Sequence, residues 1–132
     1  MRGVLFLGEA GAARAPLAEA IGRHLAPDIE FWSAGARPSH VRQEVRQVLA
    51  EIGIHCGSLR ARSILEVDLD EVDLVIGLCA EGRSPTLPRR FGVVHRPLAD
   101  PSCAPPEERR DAYRACRDTL LDRIPRWIER YR

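Results

Sequence analysis

Two hydrophobic rhythms alternate along this chain. Gly3 is followed by Val4-Leu5-Phe6-Leu7, a continuous apolar run of the kind found in a strand covered on both faces. The next stretch is small and glycine-containing, so it reads as a loop. Pro16 then suits the first turn of a helix, where its missing N–H costs little, and Leu17, Ile21 and Leu25 keep one face of that helix apolar until Pro27-Asp28 ends it. A second strand is expected over 29–32, and a second helix over about 39–52 with the stripe Val41, Val45, Val48, Leu49 and Ile52 and Gly53 as its stop. Residues 61–70 are ambiguous, with a short helical turn as one option. A third buried strand is predicted over 72–78, a loop or short helix over 84–91, and a shorter fourth strand over 92–95. The last helix starts near Pro105 or Pro106. Its stripe is Tyr113, Cys116, Leu120, Leu121, Ile124, Trp127, Ile128 and Tyr131, and Pro125 should kink or split it.

Strands alternating with helices predict a single α/β domain over 1–132: a four-stranded parallel sheet flanked by helices on both faces. Ligands of such sheets bind at the carboxyl ends of the strands, beside the point where strand order reverses. Attention therefore falls on Gly8-Glu9-Ala10-Gly11-Ala12-Ala13-Arg14, which leaves the first strand and opens the first helix. Small residues let successive N–H groups turn inward, the helix N-terminus adds positive potential, and Arg14 can fork onto two oxygens of a tetrahedral anion. The loop reads either as a cradle for phosphate, arsenate or sulfate, or as a tight strand–helix turn with a surface arginine. It carries neither the G-K-[ST] ending of a Walker loop nor G-x-G-x-x-G.

Composition narrows the partners. A formal charge of +1 over 132 residues gives no field that would draw nucleic acid or an anionic membrane. No apolar stretch approaches a membrane span, and Glu9 and Arg14 interrupt anything resembling a signal peptide. Cys56, Cys79, Cys103 and Cys116 are widely and irregularly spaced, without C-x-x-C or zinc-ligand spacing, so neither a disulfide framework, a metal nor a cofactor is expected and the compartment reads as the cytoplasm.

Six motifs in order resemble one known family over nearly the whole chain. The strand, the seven-residue loop ending in Arg14 and the following A-P-L-A-E-A resemble the opening of low-molecular-weight tyrosine phosphatases and thioredoxin-type arsenate reductases, whose loop is C-x5-R-S. Ser33-Ala34-Gly35 is similar to the S-A-G after their second strand, and Glu51-Ile52-Gly53-Ile54 to the E-x-G-I ending their second helix. The run from Asp73 to Cys79 resembles the D-x-V-x-T-L-C strand of the reductases, the closer of the two groups. Pro97-Leu98-Ala99-Asp100-Pro101 resembles their late loop, and Arg114, Arg117 and Asp118 fall in place within an F-R-x-x-R-D-x-I helix.

The resemblance implies chemistry this chain lacks. The family nucleophile is the first loop residue, here Gly8, and the serine that stabilises its thiolate is here Ala15. Ala13 stands where the reductases have a further loop cysteine. Of their two relay cysteines, one matches Cys79 and the other falls on Ser84. Without a first thiolate neither family reaction can begin. Arg14 is retained, Asp100 matches the phosphatase general acid, and Glu9 either faces an incoming anion or points to solvent. The expected protein is thus a catalytically inactive relative that keeps an oxyanion loop formed by residues 8–14, with no catalytic residue and with Gly8, Arg14 and Asp100 as vestigial positions. Two alternatives stay open: an enzyme with a displaced nucleophile among Cys79, Cys103 and Glu9, or an interaction module that binds a protein partner through a vestigial loop. Of the remaining residues, His95 reads as structural, His24, His40 and His55 as surface, Trp32 and Trp127 as core, and Tyr113 and Tyr131 as candidate phosphorylation sites.

Overall fold

The computed structural model describes residues 2–36, 39–80, 83, 85–88 and 90–131. Four parallel strands, β1 (Gly3–Leu7), β2 (Glu30–Ala34), β3 (Leu74–Gly77) and β4 (Val93–His95), lie in the order β2-β1-β3-β4. Leu5 faces Trp32 on one side and Val75 on the other, so β1 is central, and the order reverses across it. Three α-helices lie among the described residues: α1 (Arg14–Leu25), α2 (Gln43–Ala50) and α3 (Arg109–Tyr131). The single α/β domain expected from the hydrophobic pattern is the fold observed.

The sheet faces are covered unequally. Val4, Phe6 and Ile76 pack with Leu17 and Ile21 of α1, Val48 and Leu49 of α2, and Leu120 and Ile124 of α3, so all three α-helices share one core. On the opposite face Leu5, Leu7 and Val75 meet Trp32, Ile64, Leu69 and Phe91, a thinner layer built on two short 3₁₀ helices, Ile64–Glu66 and Leu69–Glu71. These resolve the ambiguous 61–70 stretch. Ser63 and Glu66 close a capping box around the first of them.

Several boundaries differ from expectation. Helix α2 begins at Gln43 rather than 39 because Arg42 is extended and its amide donates to the Ala12 carbonyl at 3.0 Å, which ties the preceding residues to the 8–14 loop. Val45, Val48 and Leu49 are buried as expected, whereas Ile52 lies beyond the helix and is exposed. Gly53, at φ 75°, marks the stop. Residues 105–108 form a turn ahead of α3, and α3 passes through Pro125 as one element. Pro125 removes one backbone donor, but Ile124, Trp127 and Ile128 are buried on both sides of it, and that packing keeps the halves together. Residues 85–88 carry no regular element. Trp127 and Cys116 are core as expected, while Trp32 is only half-buried. No helix among the described residues is long and apolar enough to cross a membrane.

Candidate functional site

At the carboxyl end of β1, where strand order reverses, the chain turns through residues 8–14 into α1. Neighbouring segments hold the turn from outside. The Gly8 amide donates to the Ala34 carbonyl, the Ala36 amide to the Glu9 carbonyl and the Arg42 amide to the Ala12 carbonyl, each at 3.0 Å. Gly11 sits at φ 66°, a left-handed conformation that a side chain disfavours, and a Cβ there would lie 3.0 Å from the Gly35 nitrogen. A Cβ on Gly35 would collide with the Ala10 carbonyl and the Gly11 nitrogen. The S-A-G segment thus requires its glycine because the loop lies directly against it.

The carbonyl side of the loop is engaged and the amide side is open. Among the described residues, the amides of Glu9, Ala10, Gly11, Ala12, Ala13 and Arg14 donate to no acceptor, and α1 has no side-chain N-cap. Consecutive unspent donors at a helix N-terminus form an anion-binding surface. They border a cavity of about 310 Å³ lined by residues 8–15 together with Arg42, Arg83, Asp100, Ser102 and Cys103. Three arginines and two acidic residues are among those that line it.

Arg14 is anchored as well as available. Its Nη1 donates to the carbonyls of Leu98 at 2.9 Å and Leu78 at 3.3 Å, and its Nη2 lies 3.7 Å from Asp100 Oδ2. Among the described residues Nε and Nη2 form no hydrogen bond, so that edge of the fork is free for an anion. Asp100 caps the 3₁₀ helix Pro101–Cys103 through Oδ1, which accepts from the Ser102 amide at 3.0 Å and the Ser102 hydroxyl at 2.7 Å. Glu9 turns toward Arg83, 3.5 Å away; Arg83 is exposed and Glu9 half-buried.

The remaining candidates separate. Cys103 is exposed and lines the cavity. Cys79 is fully buried and lies outside that lining. Ser84 lies outside the described residues. Tyr113 is fully buried, which corrects its reading as a phosphorylation site, and burial pushes its phenol up to about 12. The Tyr131 hydroxyl accepts a hydrogen bond from Arg96 at 3.3 Å. His24, His40 and His55 are exposed. No grouping of three or more His, Cys, Asp or Glu among the described residues could hold a metal ion.

Behind the loop lies a polar cluster that hydrophobic periodicity does not reveal. Glu19, fully buried off the apolar stripe of α1, accepts from Arg62 at 2.9 Å and from the Ser33 hydroxyl at 3.0 Å. Arg23 lies 3.1 Å from its other oxygen but off the hydrogen-bonding direction, so that contact is ionic only. Through the Arg62 carbonyl, which accepts from the Gly35 amide at 2.9 Å, the cluster fixes the segment on which the loop rests. The carboxylate in A-P-L-A-E-A was visible in the sequence; its burial and partners were not.

The family of low molecular weight phosphotyrosine protein phosphatases matches residues 3–131. This chain belongs to that family. An arsenate reductase of Halalkalibacterium halodurans is 28% identical over 131 residues, covering 96% of this chain and 94% of the relative. Among solved structures, a low molecular weight protein tyrosine phosphatase from T. tengcongensis superposes with a TM-score of 0.75 at 25% identity, covering 98% of this chain and 99% of that one. An arsenate reductase in the phosphate binding state superposes with a TM-score of 0.81 at 24% identity over 98% of both chains.

Proposed function

We propose that this chain is an oxyanion-binding member of the phosphatase and arsenate reductase family that does not perform the family's thiol chemistry. One observation carries the reading: a cradle of uncommitted amides, with the free edge of Arg14 beside it, is headed by Gly8, which has no side chain to attack with. The fold does not demand glycine there: a Cβ on Gly8 would meet Ala15 Cβ at 3.5 Å, an ordinary contact. The relative described in a phosphate binding state supports phosphate, and those described as arsenate reductases support arsenate, as the anion class. Four cysteines without a disulfide fit a reducing cytoplasm, and a protein carrying the anion on a side chain is a further partner of the same site.

Thermal unfolding with and without millimolar phosphate or arsenate tests the binding. A ligand at about 100 times its Kd stabilises by about 2.7 kcal/mol, a rise of a few degrees for this size. Arsenate reduction and aryl phosphate hydrolysis by the wild type should stay at background; turnover above it would sink the reading. A second reading, a displaced nucleophile, narrows to Cys103, which lines the cavity, since Cys79 is buried and Glu9 is paired with Arg83. A covalent adduct on Cys103, seen by mass spectrometry after incubation with arsenate or aryl phosphate, would favour it.

A further inference from the structure

A bare cradle of N–H groups and arginine offers only donors, and any tetrahedral oxyanion satisfies donors equally well. The cavity of this protein has one more feature. Asp100 lines it, and its two oxygens do different things. Oδ1 accepts twice from Ser102, which holds the carboxylate in one orientation. Oδ2 accepts no hydrogen bond among the described residues and lies 3.7 Å from Arg14 Nη2, beyond hydrogen-bonding distance. An ionised carboxylate is an acceptor only. An anion seated against the amides and the free edge of Arg14 therefore meets, on the Asp100 side, a fixed acceptor that repels a bare oxygen and welcomes an O–H.

We infer that Asp100 is a selectivity residue, and that the cradle takes tetrahedral oxyanions carrying a proton in preference to those carrying none. The inference rests on the oxyanion-binding reading and names the ligand class of that same site. At neutral pH phosphate and arsenate each retain a hydroxyl, which donates to Oδ2 while the other oxygens accept from the loop. Sulfate is fully deprotonated and places an unpaired oxygen against the carboxylate. Size and shape hardly separate phosphate from sulfate, so the discrimination comes from one hydrogen bond made or refused, together with like-charge repulsion. Glu9, the other carboxylate of the lining, is half-buried and turned toward Arg83 without a bond like that of Asp100 to Ser102, so Asp100 is the acceptor fixed in place.

Asp100→Asn tests this. The side-chain oxygen of asparagine can still cap Ser102, and the new NH₂ replaces the lone acceptor with a donor. Calorimetric titration of sodium phosphate, arsenate and sulfate into both proteins, at one neutral pH and equal ionic strength, reads the ratio of affinities. Wild type should bind phosphate and arsenate at least about tenfold more tightly than sulfate, and Asp100→Asn should bring sulfate to within about threefold of phosphate. Equal affinities for sulfate and phosphate in the wild type would overturn the inference while leaving the cradle standing. An unchanged ratio in a variant whose melting in anion-free buffer matches the wild type would do the same. Failure of all three ions to bind the wild type would remove the oxyanion-binding reading and the selectivity together.

Discussion

Two polar systems lie within little more than one helical turn of each other at the start of α1, and they are built on opposite terms. Around Glu19 the charge is fully buried and met by Arg62, Ser33 and Arg23. Around residues 9–14 the amides have no acceptor among the described residues, and Arg14 keeps one edge unbonded. Buried polar groups without partners cost free energy, and folded chains avoid them except where water or a ligand completes the set. The closed system supports; the open one keeps its donors uncommitted. The supporting system also explains the precise placement of the open one, since Arg62 holds Gly35 and Gly35 bears the loop.

The contrast can be broken at four places. Glu19→Ala should cost the most, about 3–5 kcal/mol in urea unfolding, because it strands the mostly buried Arg62 without its carboxylate. A loss under about 1 kcal/mol would mean the cluster is not the support described. Arg14→Ala should cost about 1–3 kcal/mol, since the Leu98 carbonyl loses its side-chain donor, while the Leu78 carbonyl keeps only the Leu98 amide. It should also abolish stabilisation by phosphate, and a variant that keeps the phosphate-induced rise would show that the anion sits elsewhere.

Tyr113 sharpens the contrast because it is an exception to it: its hydroxyl is buried without a partner among the described residues, inside the closed core. Tyr113→Phe should raise stability by up to about 1 kcal/mol at neutral pH. The phenol is raised from 10.0 to about 12 by burial, so the wild type should lose stability as pH climbs through that window and Tyr113→Phe should not. Destabilisation by the variant at neutral pH would point to a buried water serving the hydroxyl. The smallest effect belongs to Gly8→Ala. A methyl fits there, so unfolding should move by no more than about 0.5 kcal/mol. A larger loss would mean that glycine at this position is structural after all.

Much of this was legible in the chain. The run Val4-Leu5-Phe6-Leu7 announced a central strand because burial on both faces leaves no polar position to alternate with. The stripe of α3 was readable because helical spacing survives a proline, although the continuity of the helix through Pro125 was not: the penalty is local, while the packing that offsets it comes from α1 and the sheet. The loop could be located from topology alone. The start of α2 could not, because it depends on Arg42 reaching Ala12, thirty positions away in sequence.

By itself, then, the sequence determined the fold class, the place of the loop and the glycine that heads it, since these follow from side-chain period, strand order and the identity of one residue, Gly8. Tertiary structure alone decided which donors were left unspent, that Arg14 is anchored through one nitrogen and free along another edge, that Asp100 presents a single open oxygen, and that Cys79 is beyond reach while Cys103 is not. Those facts depend on which distant atoms meet, and a local pattern of polar and apolar positions does not carry the geometry of contacts between residues seventy or eighty apart.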